Sequence, residues 1–220
     1  MIYQVIGLQL TEEQGGILVK LARRAVELFL DTGRRPELKG RFPKGFEAKR
    51  GVFVTLRKII ELEDGSRRWI LRGCVGYPLP KLPLAKATVN AAIAAATRDP
   101  RFPPVIPSEL GHLIFEISVL SDLNMITGNP EEIASSIKIG RDGIVVEKGL
   151  MKALLLPQVA VEYNWSAEEF LNQACIKAGL PPDAWKSGGV KIYKFQAQVF
   201  AEIEPNGRVI ERIMYLPDRR

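Results

Sequence analysis

Six consecutive residues, Leu71-Arg72-Gly73-Cys74-Val75-Gly76, hold a guanidinium, a thiol and two glycines. They end an apolar run, Trp69-Ile70-Leu71, that has the composition of a strand. A cation close to a thiol stabilises the thiolate, the nucleophilic form, so Cys74 is the candidate nucleophile. A guanidinium presents a planar fork of donors to a carboxylate or phosphate, which makes Arg72 and Arg101 the candidate anion binders. Gly73 and Gly76 remove side chains that would keep a ligand from the backbone. Glu116 supplies a carboxylate able to act as a general acid or base when partly desolvated.

Each of these residues also has a plain structural reading. The hexapeptide can be a bulge followed by a turn, with Cys74 a small buried hydrophobe. Arg72 can form a structural ion pair, with Glu116 as a possible partner. Asp99 and Arg101 can pair within a helix-stop turn, and Glu116 can face solvent. Geometry sets one condition on the chemistry: Arg72 and Cys74 share a face only if the strand stays regular through Gly73. The single histidine, His112, follows Glu109-Leu110-Gly111 in a loop, and nothing in the sequence brings it to the thiol.

The elements that must position these residues follow from pattern. Thr11-Glu12-Glu13-Gln14 is a capping box, followed by apolar residues at helical spacing (Ile17, Leu18, Leu21, Ala25, Leu28, Phe29). Lys20, Arg23, Arg24 and Glu27 fall on the other side, and Gly33 ends the helix. Residues 34–49 form a loop rich in proline, glycine and charge. Val52–Leu56 with Ile59-Ile60, a turn at Asp64-Gly65-Ser66, and Trp69–Val75 predict a β-hairpin whose second strand delivers the hexapeptide. Leu84–Arg98, rich in alanine, reads as a helix packed closely on a sheet. Leu113–Leu120 alternates as a half-buried strand. Ile137–Ile139 and Ile144–Val146 predict a second hairpin about Gly140–Gly143. Ser166-Ala167-Glu168-Glu169 caps a helix to Ala178 that carries Cys175, and Ile192–Ile203 with Val209–Tyr215 forms a last hairpin. The absence of a βαβ rhythm predicts an α+β fold with mostly antiparallel sheets and flanking helices. Residues 34–50 and 124–130 are the expected seams.

Composition bounds the function. The 220 residues are 46% hydrophobic and 25% charged, as in an ordinary globular protein able to bury a core without staples. No apolar run is long enough to span a bilayer, and Met1–Gly7 carries neither a basic n-region nor a cleavage site, so a cytoplasmic protein away from membranes is expected. Two cysteines about a hundred residues apart give no metal spacing and no disulfide framework, and one histidine excludes His-rich metal sites. No metal is expected, and the sequence leaves the cofactor unknown. A formal charge of +6 permits weak, sequence-indifferent attraction to nucleic acid or acidic partners. The basic clusters, among them Arg34-Arg35, residues 39–50, Arg67-Arg68 and Arg219-Arg220, read mostly as solvated faces.

In order along the chain, Gly51–Leu56, Leu71–Gly76, Asp99–Phe102, Glu116–Leu120, Leu155–Ala160 and Lys177–Leu180 resemble the AMMECR domain family. The resemblance covers most of the chain, with Val75 where the family usually has isoleucine. It implies a single AMMECR-type domain over residues 1–220, with a larger subdomain from both chain ends, a smaller one from the middle, and the hexapeptide at a cleft between them. It also implies functional association with radical SAM and Memo-type proteins, but it implies no reaction. Two functions compete, and the first is preferred. One is an enzyme that binds a small anionic substrate in that cleft, with Cys74 and Glu116 catalytic and Arg72, Gly73, Gly76 and Arg101 binding. The other is a non-catalytic adaptor or nucleic-acid-associated module.

Overall fold

The computed structural model describes residues 10–38, 42–61, 64–65 and 67–212, with Arg67 described in its backbone only. Ser66, Lys39–Arg41, Ile213–Tyr215 and Arg219-Arg220 lie outside the described residues. The chain divides into two compact units, one made of residues 10–120 and 198–212 and the other of residues 121–197. Helices and antiparallel strands make an α+β architecture. No described helix is long and apolar enough to cross a membrane.

The first unit opens with α1 (Glu12–Thr32), capped as predicted by Thr11 and Gln14 in a reciprocal box and ended by Gly33 in the left-handed region. Its inward face is Leu18, Val19, Ala22, Ala25 and Val26, but it also includes Arg23, which sequence periodicity places on the polar side. The side chain of Arg23 is 6% exposed because a carboxylate waits for it: Nε and Nη2 bond Glu202 at 2.7 and 2.5 Å, and Nη2 also donates to the carbonyl of Leu113 at 2.7 Å. Glu202 in turn accepts the backbone N–H of Phe115. A buried charge is tolerated only when paired and hydrogen-bonded in this way.

Strands β1 (Val52–Glu61) and β2 (Arg67–Tyr77) form the predicted hairpin, and β3 (Leu113–Leu120) pairs with the other edge of β1. The second half of β7 (Lys191–Glu202) follows β3, and β8 (Val209–Arg212) pairs with β7 from Val199 to Glu202. Helix α2 (Leu84–Thr97) lies against β1 and β2, its alanines buried as the sequence predicts.

In the second unit, β4 (Asn124–Ile126) and β5 (Asp142–Lys148) flank the first half of β7, and β6 (Met151–Leu155) pairs with β5. The hairpin expected about Gly140–Gly143 therefore lies later, between β5 and β6. Residues 138–142 instead close a turn in which Lys138 N–H donates to the Asp142 carboxylate and Asp142 N–H returns to the Lys138 carbonyl, so Ile137 enters the core without joining a strand. Three helices complete the unit: α3 (Pro130–Ser135), α4 (Pro157–Glu162) and α5 (Ala167–Lys177). Pro157, a break in the apolar pattern, is the first residue of α4, where its missing N–H costs nothing. Ile133, Ile144, Phe170, Cys175 and Trp185 share its core.

Candidate functional site

All six residues singled out for chemistry belong to the first unit, but they do not form one cluster. Register makes the division. Cys74 stands opposite Thr55, and Thr55 opposite Glu116, so these three side chains lie on one face across β2, β1 and β3. The backbone of Cys74 points away from β1, leaving Cys74 and Thr55 as the closer, non-hydrogen-bonded type of pair. The Thr55 hydroxyl accordingly donates to the Cys74 sulfur at 3.3 Å. Burial pushes the thiol above its usual value of 9.0, and the carboxylates of Glu116 and Asp99 push the same way. The Thr55 hydrogen bond and the Arg101 charge oppose that shift without reversing it. At neutral pH the sulfur is a protonated, hydrogen-bonded thiol.

Arg72 is not on that rung. Leu56 pairs with Gly73 but Arg57 pairs with Leu71, a bulge that leaves Arg72 without an opposite residue. The strand is thus irregular at the position on which a shared face depends. The re-aimed guanidinium bonds the Glu109 carboxylate through Nε and Nη2 at 2.9 and 2.8 Å and donates to the carbonyls of Pro103 and Pro104 at 2.9 and 3.4 Å. The side chains of Arg72 and Glu109 are 11% and 17% exposed. Hydrogen bonds from Arg72 hold the Glu109 carboxyl below its ordinary range, and Glu109 also caps the 3-10 turn in which it lies (Pro107–His112) by accepting the Ile106 N–H. The carboxylate partner of Arg72 is therefore Glu109, not Glu116.

Glu116 is buried, against the expectation of a solvated face. Its Oε2 accepts from Arg212 at 3.0 Å, and Arg57 lies 3.8 Å from Oε1. Among the described residues Oε1 has no hydrogen-bond partner, and neither has the buried hydroxyl of Ser118 two residues on.

Asp99 and Arg101 pair as the helix-stop turn predicts, with Oδ1 to Nε at 2.9 Å and Oδ2 to Nη2 at 2.7 Å. They do more than stop a helix. The outer edge of β2 offers Cys74 N–H and C=O, and Asp99 accepts the first at 2.8 Å while Arg101 donates to the second at 3.4 Å. The turn so occupies the place of a neighbouring strand. The Arg101 bonds hold the Asp99 carboxyl at about 2.

Neither glycine faces open space. A Cβ on Gly73 would stand 2.2 Å from the Ala95 carbonyl oxygen of α2, and one on Gly76 would stand 2.2 Å from the Phe53 ring, which lies over it from the paired position on β1. Sequence reasoning missed Glu109, Thr55, Arg57 and Arg212. None of the four left a usable signal: counting outward from the pair Glu61 and Arg67 places Val54 opposite Cys74, and only the bulge brings Thr55 there.

Comparison with known proteins agrees with this architecture. The AMMECR1 family model matches residues 19–200. A Thermofilum pendens protein is 53% identical over 209 residues, 94% of this chain and 98% of its own. The Pyrococcus furiosus protein PF1979 is 50% identical over 91% of this chain and 94% of its own length. The crystal structure of PH0010 from Pyrococcus horikoshii superposes with a TM-score of 0.86 at 47% identity, covering 94% of this chain and all of that one. The chain belongs to the AMMECR1 family.

Proposed function

We propose that this protein is a non-catalytic binding module, an adaptor in which Leu71–Gly76 is the packing hub of its unit and not a reacting centre. One observation carries the reading: the hexapeptide's polar and conformational capacity is already taken up internally. Arg72 is bonded to a carboxylate and two carbonyls, Cys74 has its N–H, C=O and sulfur all engaged, and Gly73 and Gly76 admit α2 and the Phe53 ring. A site built to take a ligand would keep at least one such group in reserve. The net positive charge favours acidic partners.

Thermal melts of the wild type and Arg72→Ala, each with and without phosphate, sulfate and citrate, test the reading. Removing Arg72 leaves Glu109 and the Pro103 carbonyl without their main donor. A fully buried pair would lose roughly 3–5 kcal/mol, and partial exposure reduces this to about 2–4 kcal/mol. The anions should shift both proteins equally. Unchanged stability in the variant, with anion stabilisation of the wild type alone, would contradict the proposal.

A second reading is favoured by the buried Oε1 of Glu116, which has the Arg57 guanidinium 3.8 Å away but no hydrogen bond, and by the buried hydroxyl of Ser118, which has none either among the described residues. Such atoms are costly unless something bonds them. In this reading the chain is an enzyme for a small anionic substrate. Glu116 and Cys74 are catalytic, and Arg72, Gly73, Gly76 and Arg101 bind the anion, which requires Arg72 or Arg101 to exchange its carboxylate for the substrate. Native mass spectra that show an endogenous small anion lost on denaturation would support it.

A further inference from the structure

The second unit contains a pocket of about 440 Å³ between β4 with its following turn, the start of α3, and residues 185–192. That volume is in the range of small-molecule sites. Its apolar surface comes from Trp185, Ile133 and Ile192, all buried, with Met125 exposed at the rim. The indole N–H of Trp185 already bonds Asn172 at 2.7 Å, so what the side chain offers a ligand is an apolar ring.

The charge of the lining is one-sided. Among the described lining residues Lys186 and Lys191 are charged and none is aspartate or glutamate; the nearby Glu132 carboxylate, beside the lining Gly128, is engaged by the Asn129 N–H at 2.9 Å. Lys186 lies 5.0 Å above the Trp185 ring, and its ion pair with Glu168 joins side chains 43% and 60% exposed, a weak and exchangeable contact. Lys191 stands opposite Glu147 on β5, but that carboxylate is bonded to Lys152 at 2.6 Å. The wall between the lysines is Gly188-Gly189, with φ of +77° and +75° and open space where a Cβ would stand, so a ligand meets backbone there.

We propose that this pocket binds a small amphipathic carboxylate, its apolar body against Trp185, Ile133 and Met125 and its carboxylate between Lys186 and Lys191. The proposal uses residues 125–192 alone. Its failure would leave the role of the hexapeptide untouched, and the reverse holds too.

The test is a titration of the nitrogen-15-labelled full chain with phenylpropionate, phenylpropanamide and phenylpropylamine. These share an apolar body and differ in charge. The readout is the backbone signals of Gly188 and Gly189 and the indole signal of Trp185. The carboxylate should shift these signals saturably and bind about tenfold more tightly than the amide, with the amine weakest. Lys191→Gln, at an exposed position, should remove most of that preference while leaving amide binding unchanged, and Lys186→Gln is the second variant should the first not fold. Equal affinity for carboxylate and amide would overturn the proposal, as would saturation confined to other signals or no saturable shift by about 20 mM carboxylate.

Discussion

Replacing Gly73 with alanine separates a packing hub from a ligand-approach site by the sign of its effect. The added Cβ would stand 2.2 Å from the Ala95 carbonyl oxygen and 3.2 Å from its carbon, both backbone atoms of α2. Relief requires the strand and helix to part by about 1 Å, and overpacking of this kind costs roughly 1–3 kcal/mol. Gly73 is not among the residues with positive φ, so alanine is not strained by backbone conformation and gains about 0.4–1 kcal/mol by stiffening the unfolded chain. The net loss is about 1–2 kcal/mol, or roughly 2–8 °C in Tm for a chain of this length. Gly111→Ala is the control, since Gly111 has no heavy atom within 4 Å of an added Cβ and no positive φ. It should be neutral or slightly stabilising. Differential scanning calorimetry of the three proteins is the assay. A Gly73→Ala Tm equal to or above wild type would refute the reasoning, because a glycine kept only to let a ligand reach the backbone should behave like Gly111.

Two further outcomes follow from the buried charges. The Asp99 carboxyl, held at about 2 by Arg101, lies below its ordinary value of 3.8, so its contribution is present above about pH 4 and is lost as the pH falls toward 2. The stability difference between wild type and Asp99→Asn, from urea melts, should therefore grow from pH 2 to about pH 5 and stay flat above. The full shift corresponds to about 2 kcal/mol, reduced to about 1 kcal/mol because Arg101 is half exposed. Glu202→Ala leaves the Arg23 guanidinium buried without its counter-charge and should cost about 3–5 kcal/mol, most of it recovered in Arg23→Met with Glu202→Ala; additive losses in a denaturant series would contradict this.

How far the sequence discloses this molecule depends on whether a feature is local. The caps of α1 and α5, the alanine helix α2 and the hairpin about Asp64-Gly65 are written within a few neighbouring residues, and they form where pattern puts them. The pairing of Asp99 with Arg101, two residues apart, is legible for the same reason. Arg23 is not, because its partner Glu202 is 179 residues away and without it an arginine belongs outside. Glu116 reads as solvated for the same reason, since Arg57 and Arg212 reach it only after four strands, β1, β3, β7 and β8, have paired. The bulge that turns Arg72 from the thiol toward Glu109 is a property of register, which the composition of the hexapeptide does not encode.

The most direct measurement of the central claim is the rate of Cys74 alkylation by iodoacetamide as a function of pH, followed in Cys175→Ala so that a single thiol reports. A thiol that burial holds protonated and that accepts from Thr55 should react more slowly than the same cysteine in the unfolded chain. Its rate should rise only at and above the usual thiol range. Fast labelling at neutral pH with an inflection below about pH 7 would show an activated thiolate at Cys74 and would contradict the hexapeptide's role as a packing hub.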